Sequence, residues 1–241
     1  MKTETVNRQE MRKQTANIEG KNVTVYICSR EDAPIVYSND FNDCAEAVLA
    51  ACRTIGCPEF HLVSITGIRW DEELSPWAND PIVARDDHFT GEADSYLTVL
   101  EEKIVPYVQS LLPVAACSIL HGYSMGGLFA LYAAHHSEQF AAYTAPSASV
   151  WYPGFLEYAE KQTFTKEPAC IYLSIGDKES RTKNPYLSKT ESIMEQLRAV
   201  YNRKNILSIF EKNPGNHYKD VPLRIAKGLK WTLSKLNEKG E

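Results

Sequence analysis

Two rhythms of hydrophobic and polar positions run along this 241-residue chain. The first belongs to an opening hairpin: Met11 to Ile18 and Val23 to Cys28 read as strands on either side of a turn at Glu19-Gly20-Lys21-Asn22. After it, short wholly apolar runs alternate with longer segments of helical period. The runs are Pro34-Ile35-Val36-Tyr37, Phe60 to Ile65, Val114 to Leu120, Ala141 to Ala145, Ala169 to Ile175 and Ile206 to Phe210. Helical periodicity covers Cys44 to Ile55, Tyr96 to Leu112, Leu128 to His136, Thr190 to Tyr201 and Leu223 to Leu236. Strands that are apolar on both sides must be covered on both sides, so the pattern predicts an α/β fold: a mostly parallel twisted sheet with helices on both faces and the hairpin as its antiparallel edge. No Pro/Gly/Ser-rich linker interrupts the pattern, and the length suits one domain spanning residues 1–241. Residues 67–90 alone lack a period, which predicts a flap loop near the functional site. Its tryptophans, Trp70 and Trp77, are candidates for substrate contact and equally for anchoring the loop to the core.

Composition narrows the function classes. The net charge of -5, with Lys and Arg scattered rather than striped, argues against nucleic acid as a partner. Met1 to Gln14 has no apolar core and no later stretch is apolar for long enough to span a bilayer, so no membrane partner and a cytoplasmic location are expected. Six cysteines without a C-x-x-C pair predict free thiols rather than a disulfide framework or a zinc site. No His/Asp/Glu cluster has ligand spacing, so neither metal nor cofactor is expected. Whether copies associate into a homo-oligomer is left open.

The sharpest chemical signal is Gly122-Tyr123-Ser124-Met125-Gly126-Gly127. It places a serine in G-x-S-x-G directly after an apolar run and directly before a helical one, the setting of a nucleophile elbow. Glycines flank the serine because side chains there would block the close approach of strand and helix. A serine hydroxyl needs a base to take its proton and an acid to orient that base, and on an elbow architecture these follow in the order Ser, Asp or Glu, His. His217, in the turn-rich Asn213-Pro214-Gly215-Asn216-His217, is the histidine that lies beyond Ser124 after two further strands. The acid belongs to Ser174-Ile175-Gly176-Asp177-Lys178-Glu179, where Asp177 and Glu179 both qualify by reach.

An oxyanion hole requires two backbone N–H groups. One is that of Met125; the other falls in Ser38-Asn39-Asp40-Phe41-Asn42, at Phe41 or Asn42. Tyr123 abuts the serine and Trp151 follows the strand after the elbow helix, so both are candidates, with Trp70, to line the site of a small-molecule ester. Trp151 is as readily a core residue.

Taken together, these residues resemble the putative esterase family of α/β hydrolases, which contains esterase D, enterochelin and related siderophore esterases, feruloyl esterases and mycolyltransferases. The resemblance covers nearly the whole chain. It is carried by Val36-Tyr37-Ser38-Asn39-Asp40, Trp70 to Trp77, Phe89-Thr90-Gly91, Tyr96-Leu97, Gly122 to Tyr132, Ser147 to Tyr152, Gly176 to Glu179 and Gly215-Asn216-His217. It implies an α/β-hydrolase fold and a serine esterase, or an acyltransferase on the same three residues. A catalytically silent binding protein of the same fold is the remaining alternative. The family's acid follows a glycine by three residues, which selects Glu179 over Asp177. The family commonly has Asp-Gly in the oxyanion turn, where this chain has Asp40-Phe41.

Overall fold

The computed structural model describes residues 11–83 and 88–240. Its centre is an eight-stranded sheet whose strands lie side by side in the order Arg12–Ile18, Lys21–Ile27, His61–Thr66, Ile35–Asn39, Ser118–Gly122, Ala142–Pro146, Cys170–Gly176 and Ser208–Asn213. Strands β1 (Arg12–Ile18) and β2 (Lys21–Ile27) form the hairpin, closed by Glu19 and Gly20 in the left-handed region. Two successive positive φ angles match the right-handed strand twist, so the turn needs two residues rather than the four expected. Then follow β3 (Ile35–Asn39), α1 (Ala45–Thr54) and β4 (His61–Thr66). β2 pairs antiparallel with β4, whereas every further pair of this sheet is parallel.

The segment between β4 and the next long helix is not a bare loop in its described parts. It holds a helical turn α2 (Trp70–Glu73) and a small ladder of β5 (Ala78–Asn79) with β6 (Phe89–Thr90). Ser75 Oγ accepts from Gly91 N at 2.9 Å, and Trp77 Nε1 donates to Pro153 O at 3.0 Å. Such local bonding has no periodic signature, which is why the sequence reads as a loop here. Residues 84–87 of the expected flap lie outside the described residues.

A long helix follows as α3 (Ala93–Val99), a π-helical stretch over Leu100–Ile104, and α4 (Val105–Leu111). Next come β7 (Ser118–Gly122), α5 (Met125–His136), β8 (Ala142–Pro146), α6 (Phe155–Lys161), β9 (Cys170–Gly176), α7 (Thr190–Arg203), β10 (Ser208–Asn213) and α8 (Val221–Gly240). β7 starts four residues later than the apolar run suggests, because Pro113 and Val114 form an exposed turn.

Alternation along the strands sorts the core into two layers. Tyr26, Val36, Leu62, Ile119, Ala142 and Cys170 face α1 and α8, while Val25, Tyr37, Val63, Leu120, Tyr143 and Ile171 face the helices α3 to α7. Both layers are buried, which explains why the sequence shows apolar runs rather than alternation. Ser124, Ser147, Glu179 and His217 all fall just beyond the C-terminal ends of parallel strands, where open α/β sheets present their crevice.

Candidate active site

Ser124 sits between β7 and α5 with φ 59° and ψ -122°. A non-glycine residue holds that conformation only when its surroundings impose it, at about 1–3 kcal/mol. The imposing contact is visible: a Cβ on Gly122 would overlap the backbone of Gly126, and one on Gly127 would come 2.7 Å from the Cβ of Ala148. Strand and helix therefore close to backbone contact, and the serine is turned out into a cavity of about 820 Å³.

His217 Nε2 stands 3.2 Å from Ser124 Oγ, and its Nδ1 stands 2.7 Å from Glu179 Oε2. A carboxylate can only accept, so Nδ1 carries the proton and Nε2 is left to accept from the serine hydroxyl. Asp177 does not reach the imidazole. It is exposed, and its Oδ1 accepts from Gly215 N at 2.8 Å, bracing the loop that carries His217. Both carboxylates of the motif thus serve this loop, one through the side chain and one through the backbone.

The Glu179 carboxylate divides its oxygens. Oε1 accepts from Gly176 N at 2.6 Å, from Ser147 Oγ at 2.8 Å and from Arg224 Nη1 at 2.7 Å, while Oε2 is turned to His217. Burial alone would push its carboxyl up, but the hydrogen bond and charge of His217, with the donors from Gly176 and Ser147, hold it below the usual carboxylate range. Arg224 has no counterpart in the sequence reading, and Ser147 enters it only within the stretch Ser147 to Tyr152, with no role in the site. One signal was present: Arg224 stands in the first turn of α8, where the helix dipole disfavours a cation unless an anion answers it.

The first amides of a helix have no intrahelical partner, and Met125 N is the first of α5. In the facing turn, Asp40 N is already bonded to Ile65 O at 2.9 Å, which leaves Phe41 and Asn42 for a second donor. Phe41 is not among the residues with positive φ. The turn therefore makes no demand that only glycine could meet, and a phenylalanine in the family's glycine position fits. Asp40 itself is buried, and burial pushes its carboxyl up to about 6 against the opposing bonds from Ser38 Oγ and Ser64 Oγ, each 2.6 Å.

Trp70, Tyr123 and Trp151 all line the cavity, with Phe41 and Tyr218. The two tryptophans of the aperiodic segment separate in role: Trp70 lies against Gly126 of the elbow and meets Phe41 edge-to-face at 5.3 Å, while Trp77 packs on Tyr152 and Tyr158. Tyr123 also has a structural duty, donating its hydroxyl to His217 O at 2.7 Å. Trp151 is half-buried on the cavity wall. Among the described residues no group of three or more His, Cys, Asp or Glu side chains could hold a metal ion, and no helix is long and apolar enough to cross a membrane.

A family model described as Putative esterase matches residues 68–208, more than half of the chain and including the elbow and Glu179. The chain belongs to the putative esterase family. His217 lies beyond the matched stretch. The uncharacterized protein YbbA of Bacillus subtilis (strain 168) is 24% identical over 215 residues, covering 84% of this chain and 86% of that protein. Solved structures agree on the fold. An IroE-like serine hydrolase from Shewanella oneidensis matches with TM-score 0.76 at 18% identity, over 92% of this chain and 79% of that one. The siderophore hydrolase EstB from Aspergillus nidulans matches at 0.71 and 21%, over 94% and 96%. The enterobactin esterase FES from Shigella flexneri, solved in the presence of enterobactin, matches at 0.71 and 19%, over 95% of this chain and 60% of that longer one. The arrangement is thus the α/β-hydrolase fold of an esterase family, with its mixed sheet and N-terminal hairpin.

Proposed function

We propose that this esterase-family protein hydrolyses carboxylic esters of small molecules through an acyl-enzyme on Ser124, with His217 as base and Glu179 as acid. The observation that supports this reading best is the unbroken chain from Ser124 Oγ through the imidazole to Glu179 Oε2, with links of 3.2 and 2.7 Å. Nε2 takes the hydroxyl proton as Oγ attacks the ester carbonyl carbon. The C=O electron pair moves to oxygen, and the amides of Met125 and Phe41 meet that charge. Collapse of the tetrahedral intermediate expels the alcohol, which receives the proton from Nε2, and leaves the acyl group on Ser124. Water, deprotonated by the same nitrogen, then attacks the acyl carbon, and cleavage of the bond to Oγ releases the acid as Nε2 returns its proton to Ser124. Tyr123, Trp70 and Trp151 would supply apolar walls to the acyl or alcohol group, and the siderophore hydrolases among the structural neighbours make such esters the first substrates to try.

The test is chemical labelling joined to a substrate panel. A fluorophosphonate should add its mass to the Ser124 peptide of the wild type and leave Ser124→Ala unlabelled. Equal labelling of both would end the assignment. Acyl p-nitrophenyl, thioester, feruloyl and siderophore esters identify the substrate class, and products formed with an added alcohol separate hydrolysis from acyl transfer.

A further inference from the structure

We infer that Arg224 is a positioning residue that holds the acid and the base of this site in a single frame, a role that rests on the reading of Ser124, His217 and Glu179 given above. Arg224 is only 1% exposed, and the two ends of its guanidinium do different things. Nη1 donates to Glu179 Oε1 at 2.7 Å and stands 3.2 Å from Tyr123 Oη and 3.3 Å from Ser147 Oγ. Nη2 donates to Asn216 O at 2.7 Å and to Pro214 O at 3.1 Å, two carbonyls of the loop that carries His217. One planar fork thereby fixes the carboxylate of the acid relative to the backbone of the base.

The surroundings are shaped to admit this fork. A Cβ on Gly176 would overlap Gly215 O and come 2.6 Å from Nη2 and 2.9 Å from Nη1, so the glycine three residues before Glu179 leaves the space that the guanidinium fills. Tyr123, beside the nucleophile, completes the set by donating to His217 O. The carbonyls of residues 214, 216 and 217 are all engaged. With Oε1 saturated by Gly176 N, Ser147 Oγ and Arg224 Nη1, the carboxylate cannot rotate, and Oε2 is presented to the imidazole.

A buried ion pair of this kind is a poor device for stability, because the loss of hydration offsets much of the attraction. Its geometry is better suited to alignment. A lysine could keep the charge, but a single ammonium has no planar fork with which to span a carboxylate and two loop carbonyls at once.

The experiment is a double-mutant cycle on a p-nitrophenyl ester, with every variant checked for folding by circular dichroism. Arg224→Met should lower kcat about a hundredfold and leave KM within about threefold, the cost of misplacing catalytic groups rather than of losing a substrate contact. In a Glu179→Gln background the same substitution should cost less than about tenfold, since little alignment remains to be lost. Arg224→Lys should recover only part of the loss. Equal losses in both backgrounds, or wild-type kcat in folded Arg224→Met, would overturn the proposal while leaving the reading of the site intact. Should Arg224→Met fail to fold, Arg224→Lys carries the same cycle. Near-wild-type turnover in Glu179→Gln or Ser124→Ala would instead sink the reading of the site itself.

Discussion

Glu179 and His217 stand on one side of a contrast within the cavity, and the aromatic side chains that line it stand on the other. The Glu179 carboxylate accepts four hydrogen bonds, the loop of His217 has three carbonyls bonded to Arg224 and Tyr123, and Ser124 is locked in a backbone conformation that only the elbow enforces. Phe41 and Tyr218, by contrast, are 68% and 67% exposed, and the ring of Phe41 is met edge-to-face by Trp70. An edge-to-face pair adds about 0.5–1.5 kcal/mol, whereas a hydrogen bond to a charged group contributes about 1.5–3 kcal/mol. The difference follows from what each side must do. In the proposed reading, proton transfer across the 3.2 Å from Ser124 to His217 and the 2.7 Å bond by which Glu179 orients the imidazole both tolerate little displacement, so those groups are tied down before any substrate arrives. An apolar lining needs only area, and a ligand can bury what the protein leaves exposed.

The contrast can be broken at its strongest point first. Ser124→Ala should lower turnover by about three to six orders of magnitude, measured as kcat on the best ester of the panel, because only binding and oxyanion stabilisation remain. Turnover within tenfold of wild type would place the chemistry elsewhere. Next, Glu179→Gln should cost up to roughly ten thousandfold in kcat, through loss of tautomer control and of the charge that steadies the imidazolium. Asp177→Asn, which changes a brace on the backbone of the loop, should cost less than about tenfold. The reverse ranking in folded variants would make Asp177 the acid.

Smaller in size is a dependence of stability on pH that belongs to the sheet beneath the site. His121 in β7 and His135 in α5 are buried neutral, and burial lowers both to about 4 from 6.5 despite hydrogen bonds to Thr144 O and Thr163 O. The folded protein then binds fewer protons than the unfolded chain between pH 6.5 and 4, so stability present above this window is lost as pH falls through it, by up to roughly 3 kcal/mol per histidine. Asp40, raised to about 6, opposes this over part of the same range, because its protonated form is the one the fold prefers. Two histidines outweigh one aspartate, so Tm should fall from pH 6.5 to 4, and His121→Phe should flatten the slope. An unchanged slope in that variant would remove His121 from the account. The smallest effect is expected on the exposed lining: Phe41→Ala should raise KM by no more than about tenfold with kcat nearly constant, as expected for an exposed side chain that the chemistry does not need. A hundredfold fall in kcat would mean that the side chain also fixes the oxyanion turn.

Much of this was already present in the order of residues along the chain. The apolar runs predict the parallel strands because burial on both faces leaves no polar alternation. G-x-S-x-G between a strand and a helix marks Ser124 as the candidate nucleophile because the turn tolerates only small flanking residues, and the demand for an acid and then a histidine in chain order marks His217 as the candidate base. The helix α6 has no readable signature, since seven residues give too little period, and the apolar run from Val114 predicts a strand that begins only at Ser118. Choosing between Glu179 and Asp177 took a resemblance, because both carboxylates lie on the same loop and reach alone does not separate them.

Other features had no local signature and were decided only when the chain closed on itself. Arg224 meets Glu179 from 45 residues away and Tyr123 from 101, and neither partner announces the other in sequence. The contact of Ser147 with this guanidinium, and the space that Gly176 leaves for it, likewise have no local signature. The reason is physical: periodicity and turn chemistry are properties of neighbours along the chain, whereas the alignment of a carboxylate with an imidazole depends on donors that different strands and helices bring to one point in space.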